Sequence, residues 1–271
     1  MKTKILAGRE LAGFIKERQS HEVHSLKSQG ITPKLVIIRD SDNPVITKYV
    51  NLKIRYGEDI GIIVVDEKVK DAAEAKSAIE KANNDNNVHG IIVQLPLKDK
   101  DKTDEVVKLI AKEKDVDGLS GHGDFDSATA TSINWLLAGH NINLNDKKIA
   151  IVGKGRLVGA PLIKMWQDSG YNITVFGHDS DLSALNEYDV IVTATGTPHL
   201  IQPSMIKPGA ILVDAGTASE NGVLVGDIDD ATREDRNIAA ITPKVGGVGP
   251  LTVAVLFEDV IIAAKKQSKS Q

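Results

Sequence analysis

The stretch IAIVGKGRLVGAP at 149–161 constrains the fold more than any other. An apolar run, Ile149 to Val152, breaks into glycines at 153, 155 and 159, and the helix-like pattern Leu162, Ile163, Met165, Trp166 follows directly. Strand, glycine turn, helix is the order of a βα unit whose backbone N–H groups can approach a phosphate at a helix N-terminus. The spacing G-x-G-x-x-x-G is one residue longer than the common dinucleotide fingerprint. Glycine turns of this kind also serve packing alone, so this stretch by itself leaves a ligand-free reading open.

The flanking sequence extends the pattern. Apolar runs of strand length occur at 34–39, 60–65 and 88–94, and again at 148–152, 172–176, 190–194, 210–214 and 238–241. Helical patterns stand between them: 9–29, 42–57, 71–83, 102–112, 131–138, 158–168 and a short one at 183–186. Strands alternating with helices argue for an α/β fold with doubly wound parallel sheets and right-handed crossovers. The later runs end at Gly153, Gly177, Gly196 and Gly216, on the sheet edge where open α/β folds bind ligands. Asp42 or Asn43 followed by Pro44 marks a helix start. Residues 119–131 read as a loop, and Gly246–Pro250 as a bent loop before a final apolar helix over 253–264.

Composition narrows the function. The chain has 271 residues, a net charge of −4 and no cysteine. Disulfides, thiolate nucleophiles and cysteine-ligated metals are thereby excluded. No basic field points to nucleic acid or an anionic membrane, and no apolar run reaches the length of a membrane span. His21 and His24 lie in a polar helix without metal-site spacing, so no metal is expected. Arg9 and Glu10 interrupt what would be the apolar region of a signal peptide, which reads as a mature cytoplasmic protein.

Tyr49 and Lys53 fall on one face of the 42–57 helix, beside an apolar stripe of Ile46, Val50 and Ile54. A lysine there either snorkels to water or is desolvated and tuned for proton transfer near neutral pH. Gln94 ends a strand and Asp117 sits in the acidic turn KDVDG, where aspartate is commonly turn chemistry.

The segments YVNLKIRYGEDIGI, GIIVQLPL, KDVDG, TATGTP, VDAG, GDID and TPKVGGVGPLT occur in this order along nearly the whole chain. Together they make the chain resemble the bifunctional methylenetetrahydrofolate dehydrogenase/methenyltetrahydrofolate cyclohydrolase family. The resemblance implies two α/β domains with a cleft between them. A folate-binding catalytic domain would span 1–140, completed by a C-terminal helix at 250–271 that returns to it. A Rossmann-like NAD(P)-binding domain would span 141–249. It implies oxidation of 5,10-methylenetetrahydrofolate and hydrolysis of the methenyl product to 10-formyltetrahydrofolate, in a cytoplasmic homodimer of one-carbon metabolism.

The same resemblance assigns residues. Lys53 would be the catalytic lysine, Gln94 its hydrogen-bonded tuner, Tyr49 a stacking partner for folate and Asp117 the holder of the pterin. Leu95, Pro96, Gly249, Pro250 and Leu251 would line the folate side. Gly153, Lys154, Gly155, His178, Asp179, Ser180, Thr195, Gly196 and Thr217 would hold the cofactor.

Some positions depart from the family. Its G-R-S phosphate loop is Gly153-Lys154-Gly155, so a lysine meets a 2′-phosphate as a point charge. Asp179 suits a ribose hydroxyl, which keeps NAD open beside NADP. Ile46 stands where the family has serine, Lys98 where L-P-L-P ends in proline, and ATATS at 128–132 has lost two prolines and a glycine. These changes keep a dehydrogenase-only or altered-substrate relative, and a non-catalytic NAD(P)-binding protein, as alternatives.

Overall fold

Parallel strands apolar on both faces need cover on both sides, and the chain supplies it with helices drawn from distant parts of the sequence. The computed structural model describes residues 3–216, 218–220, 223–235 and 237–269. In chain order the first elements are β1 (Lys4–Ile5), α1 (Gly8–Ser28), β2 (Lys34–Arg39), α2 (Pro44–Ile60), β3 (Ile63–Lys68), α3 (Ala72–Asn84), β4 (Gly90–Val93) and α4 (Thr103–Val107). There follow α5 (Ala128–Gly139), β5 (Ile149–Val152), α6 (Gly159–Asp168), β6 (Ile173–Phe176), β7 (Val190–Thr193) and β8 (Ile211–Asp214). The last are β9 (Ala218–Glu220), β10 (Val223–Val225), α7 (Asp230–Glu234), β11 (Ala240–Ile241) and α8 (Val248–Ser268). Two compact units result: Met1–Ala12 with Thr129–Thr252, and Gly13–Ala128 with Val253–Gln271.

The second of these units is built on a three-stranded parallel sheet ordered β3-β2-β4. Helix α2 starts where the Asn43 side chain accepts the Val45 N–H, with Pro44 at the first helical position. It stops at Gly61, whose φ of 84° is the left-handed C-terminal cap that glycine adopts without strain. That cap moves the expected 60–65 strand: Ile60 closes α2, and β3 runs from Ile63. One face of the sheet packs Val36, Ile38, Ile91 and Val93 against Ile79, Val106 and Ile110 of α3, α4 and their flank. On α8, Phe257 stacks on Tyr56 with ring centres 5.0 Å apart. A side chain at Gly57 would meet Phe257, and one at Gly90 would meet both Val116 and Val260. From Val253 on, α8 therefore belongs to this unit.

The other unit carries a six-stranded sheet, β1-β11-β8-β7-β5-β6, with every neighbouring pair parallel. The chain leaves β5 for β6 on one side and then crosses to β7 on the other, so the strand order reverses at β5. In such sheets that switch point opens a crevice at the strands' C-terminal ends. Helix α6 covers the sheet through fully buried Leu162 and Trp166, and the Trp166 indole donates to Asn134 Oδ1 of α5 at 2.6 Å.

Three further boundaries differ from the sequence reading. Strand β1 is only two residues long and pairs with β11, which places residues 1–12 in the six-stranded unit rather than with 13–128. Helix α5 begins at Ala128, inside the expected 119–131 loop, because Ala128, Ala130, Ile133, Leu136 and Leu137 bury one continuous helical stripe. Helix α8 begins at Val248, so Gly249, Pro250 and Leu251 form its first turn instead of a bent loop. Proline is tolerated there, since its missing N–H is one the first turn leaves unpaired.

Candidate active site

In the three-stranded unit, α2 presents Lys53 toward the end of β4. The Lys53 ammonium donates to Gln94 Oε1 at 2.8 Å, and the Gln94 amide donates to the Leu95 carbonyl at 3.2 Å. Gln94 follows Val93, which faces the α3 core; side chains alternate along a strand, so Gln94 turns to the α2 side. Burial pushes the Lys53 amine down from its ordinary value, and the Asp117 carboxylate opposes that shift. Burial pushes Asp117 up, against the pull of Lys53 and with the help of Asp115. Each group of this pair is destabilised as an ion by its surroundings and steadied by the other. Tyr49, one turn before Lys53 on the same helix, is half-buried.

The KDVDG turn is held from both sides. Lys114 Nζ donates to the carbonyls of Ala82, Asn83 and Asp85 at 2.8–3.0 Å, a cation closing the C-terminus of α3. Asp115, fully buried, accepts from Leu119 and Ser120 N–H at 3.3 and 2.9 Å. Gly118 takes φ 64°, and a side chain there would run into the backbone at Asp126–Ser127. Asp117 is thus carried on a turn fixed at both ends. Leu95 is half-buried, Pro96 is exposed after a cis peptide bond, and Leu97 is buried.

In the six-stranded unit close backbone approaches account for Gly153 and Gly159. Gly153 has φ 102°, and a Cβ there would lie 2.6 Å from the Ala194 carbonyl oxygen. A Cβ on Gly159 would lie 2.2 Å from the Gly153 carbonyl oxygen, so α6 starts only if this position is glycine. Gly155 has nothing nearer than 3.8 Å on its open side, and Val158 gives α6 no side-chain cap. An open backbone turn leading into an uncapped helix start fits a phosphate-bearing cofactor. The Lys154 chain lies over Gly177, its Nζ 3.6 Å from where a Cβ would be, beside exposed His178 and Asp179. Ser180 Oγ accepts the Gly177 N–H at 2.8 Å and closes this turn. Thr195 and Gly196 are exposed at the end of β7. Gly249, Pro250 and Leu251 fall in this unit too, with Leu251 buried against Gly8. Thr217 lies outside the described residues. Among those residues no group of histidine and acidic side chains could hold a metal ion, and no helix is long and apolar enough to cross a membrane.

A switch-point sheet with a glycine-led βα turn in one unit, and a desolvated lysine–glutamine pair in the other, define a two-unit α/β enzyme of the dinucleotide-binding class. Residues 6–117 match the tetrahydrofolate dehydrogenase/cyclohydrolase catalytic domain, and 127–268 match that family's NAD(P)-binding domain. The chain is 36% identical to the bifunctional protein FolD of Macrococcus caseolyticus, over 98% of this chain and 99% of that one. It superposes on the bifunctional FolD of Campylobacter jejuni with a TM-score of 0.90 at 33% identity, covering 97% and 99% of the two chains. It also superposes on the Trypanosoma brucei enzyme crystallised with NADP and an inhibitor, with a TM-score of 0.92 at 25% identity and 99% coverage of both. The chain belongs to the tetrahydrofolate dehydrogenase/cyclohydrolase family.

Proposed function

We propose that Lys53, tuned by Gln94 and Asp117, carries the hydrolytic half of a two-step reaction whose oxidative half runs at the cofactor edge of the six-stranded sheet. The enzyme oxidises 5,10-methylenetetrahydrofolate to the methenyl cation with NADP⁺ and hydrolyses that cation to 10-formyltetrahydrofolate. When bound, the nicotinamide supplies the hydride acceptor. The protein's part in the first step is orientation: Gly153, Lys154 and Gly155 take phosphates, with His178, Asp179, Ser180, Thr195 and Gly196 along the same edge, and the family resemblance assigns Thr217 to the nicotinamide end. Lys154 would meet a 2′-phosphate, and Asp179 leaves room for NAD at a ribose hydroxyl.

The second step adds water to a cationic carbon and releases a proton. A lysine held below its usual range takes that proton near neutral pH far better than a solvated one. Gln94 keeps the amine aimed, Tyr49 stacks on the folate, and Asp117 holds the pterin by hydrogen bonds. Leu95, Pro96, Gly249, Pro250 and Leu251 line the folate side. The observation that carries this reading is the 2.8 Å Lys53–Gln94 hydrogen bond on a desolvated amine.

Lys53→Met tests it. Methenyl hydrolysis should fall by about 100-fold or more, while NADP⁺ reduction continues and the methenyl absorbance accumulates. Hydrolysis at the wild-type rate would sink the assignment. The enzyme is further inferred to act as a homodimer, as the family resemblance implies. Sedimentation equilibrium should give twice the 29.1 kDa chain mass, and a single-chain mass would refute it. A cytoplasmic location is inferred from the same family resemblance.

A further inference from the structure

We infer that Asp227, in the segment GDID that returns after β10, is a positioning residue for the dehydrogenase half-reaction: it fixes the two sheet-edge loops that end β7 and β8. The inference rests on reading that edge as the cofactor edge.

The argument begins at Asp214, the last residue of β8. Its carboxylate accepts the Thr193 hydroxyl from the adjacent strand at 3.3 Å and the Gly216 N–H at 3.1 Å. It also accepts the N–H groups of Asp227 and Ile228, each at 3.2 Å, and pairs with the Arg233 guanidinium. Gly226 lets the returning segment come this close, because a Cβ there would lie 2.0 Å from Asp214 Oδ2. The result is that Asp227 is delivered, fully buried, to a fixed place between two loops.

There its carboxylate does two things. Oδ2 accepts the Thr195 N–H at 2.8 Å, which sets the Ala194–Gly196 turn. Its side chain also occupies the space a Cβ on Gly216 would need, Oδ1 lying 2.0 Å from that point, which sets the Ala215–Gly216 turn. The Thr195 hydroxyl is used within its own turn, accepting the Thr197 N–H at 3.0 Å. The cost is visible: Asp227 Oδ1 is buried with no hydrogen-bond partner, and its neighbour Asp214 is a second carboxylate. A buried unpaired oxygen beside a like charge is unfavourable for the fold. A side chain retained on those terms is holding something other than a hydrophobic core, and what it touches is the pair of loops at the switch-point edge.

Asp227→Ala and Asp227→Asn, assayed for both half-reactions on one preparation, test this. Alanine leaves the Thr195 N–H unpaired and opens a hole under Gly216. It should raise the KM for NADP⁺ roughly tenfold and lower the kcat of hydride transfer. Hydrolysis of supplied methenyltetrahydrofolate should stay within about twofold, because Lys53, Gln94 and Asp117 lie in the other unit. Asparagine keeps the volume and an acceptor oxygen, so it should restore most of the loss. If Asp227→Ala does not fold, Gly216→Ala presses on the same carboxylate from the loop side and should show the same selective loss.

An unchanged dehydrogenase, an equal fall in both activities, or no recovery with asparagine would each overturn the inference. Gly159→Ala, which strikes the phosphate turn directly, separates this from the underlying reading. If it raises the NADP⁺ KM and Asp227→Ala does not, only the inference fails. If neither does, the cofactor edge itself is misplaced.

Discussion

Buried charge is handled in opposite ways in the two units. Around Lys53 it is left soft: one ammonium, one hydrogen bond to a neutral amide, and an aspartate whose own ionisation is disfavoured. Around Asp214 it is pinned: three backbone N–H groups, a threonine hydroxyl and a guanidinium converge on one carboxylate. The chemistry explains the contrast. Moving a proton needs a group whose two protonation states are close in free energy, and burial with weak compensation provides that. Moving a hydride between two bound rings needs fixed geometry, and a dense hydrogen-bond cluster provides that, although burial and Asp227 push the Asp214 carboxyl up as well.

The rigid side breaks most readily. Gly159→Ala puts a methyl group 2.2 Å from a backbone oxygen that cannot move without dragging Gly153 and its turn. The NADP⁺ KM should rise by more than about tenfold, with the melting temperature lowered by about 2–4 °C. Steady-state kinetics with methenyl hydrolysis as the internal control reads the effect. A wild-type cofactor KM would mean that the turn is soft after all, and the contrast between the units would lose half its basis.

Much of this was legible in the sequence, and what was not has a physical cause. The glycine turn, the Asn43–Pro44 helix start and the Tyr49–Lys53 face are local features, written in consecutive residues. Gly61 is a helix stop signal set inside an apolar run, and the run by itself predicts a strand that starts too early. Strand β1 has no local signature: it is two exposed residues that form a strand only because β11, more than two hundred positions away, offers an edge. The Lys53–Gln94 contact spans 41 positions and came from family resemblance, not spacing. The sequence motifs KDVDG and GDID contain Lys114 and Asp227 but do not reveal their roles, since a lysine capping a helix and an aspartate wedged under a glycine depend on tertiary approach. For Asp227 the usable hint was a glycine directly before it and another opposite it at 216.

The soft side predicts a smaller effect that sharpens the comparison. Asp259 on α8 is pushed up to about 8, first by burial and then by the carboxylates of Glu258, Asp117 and Asp126, against the pull of Lys266. Val260 and Val116 meet over Gly90, which brings the neighbouring positions 259 and 117 to the same part of the unit. In the unfolded chain this carboxyl titrates near its model value of 3.8. Between about pH 4 and pH 8 the folded protein holds a proton that the unfolded chain has released, so stability falls as pH rises through that window. Asp259→Asn removes the titration. Its melting temperature should exceed wild type at pH 8.5 by at least about 2 °C more than it does at pH 5. Differential scanning calorimetry at the two pH values reads the difference. A constant offset would mean that Asp259 is well solvated, and that the softness of this unit is confined to Lys53 and Asp117. A growing offset would extend it along α8, making the proton-transfer unit pH-sensitive in stability as well as in rate.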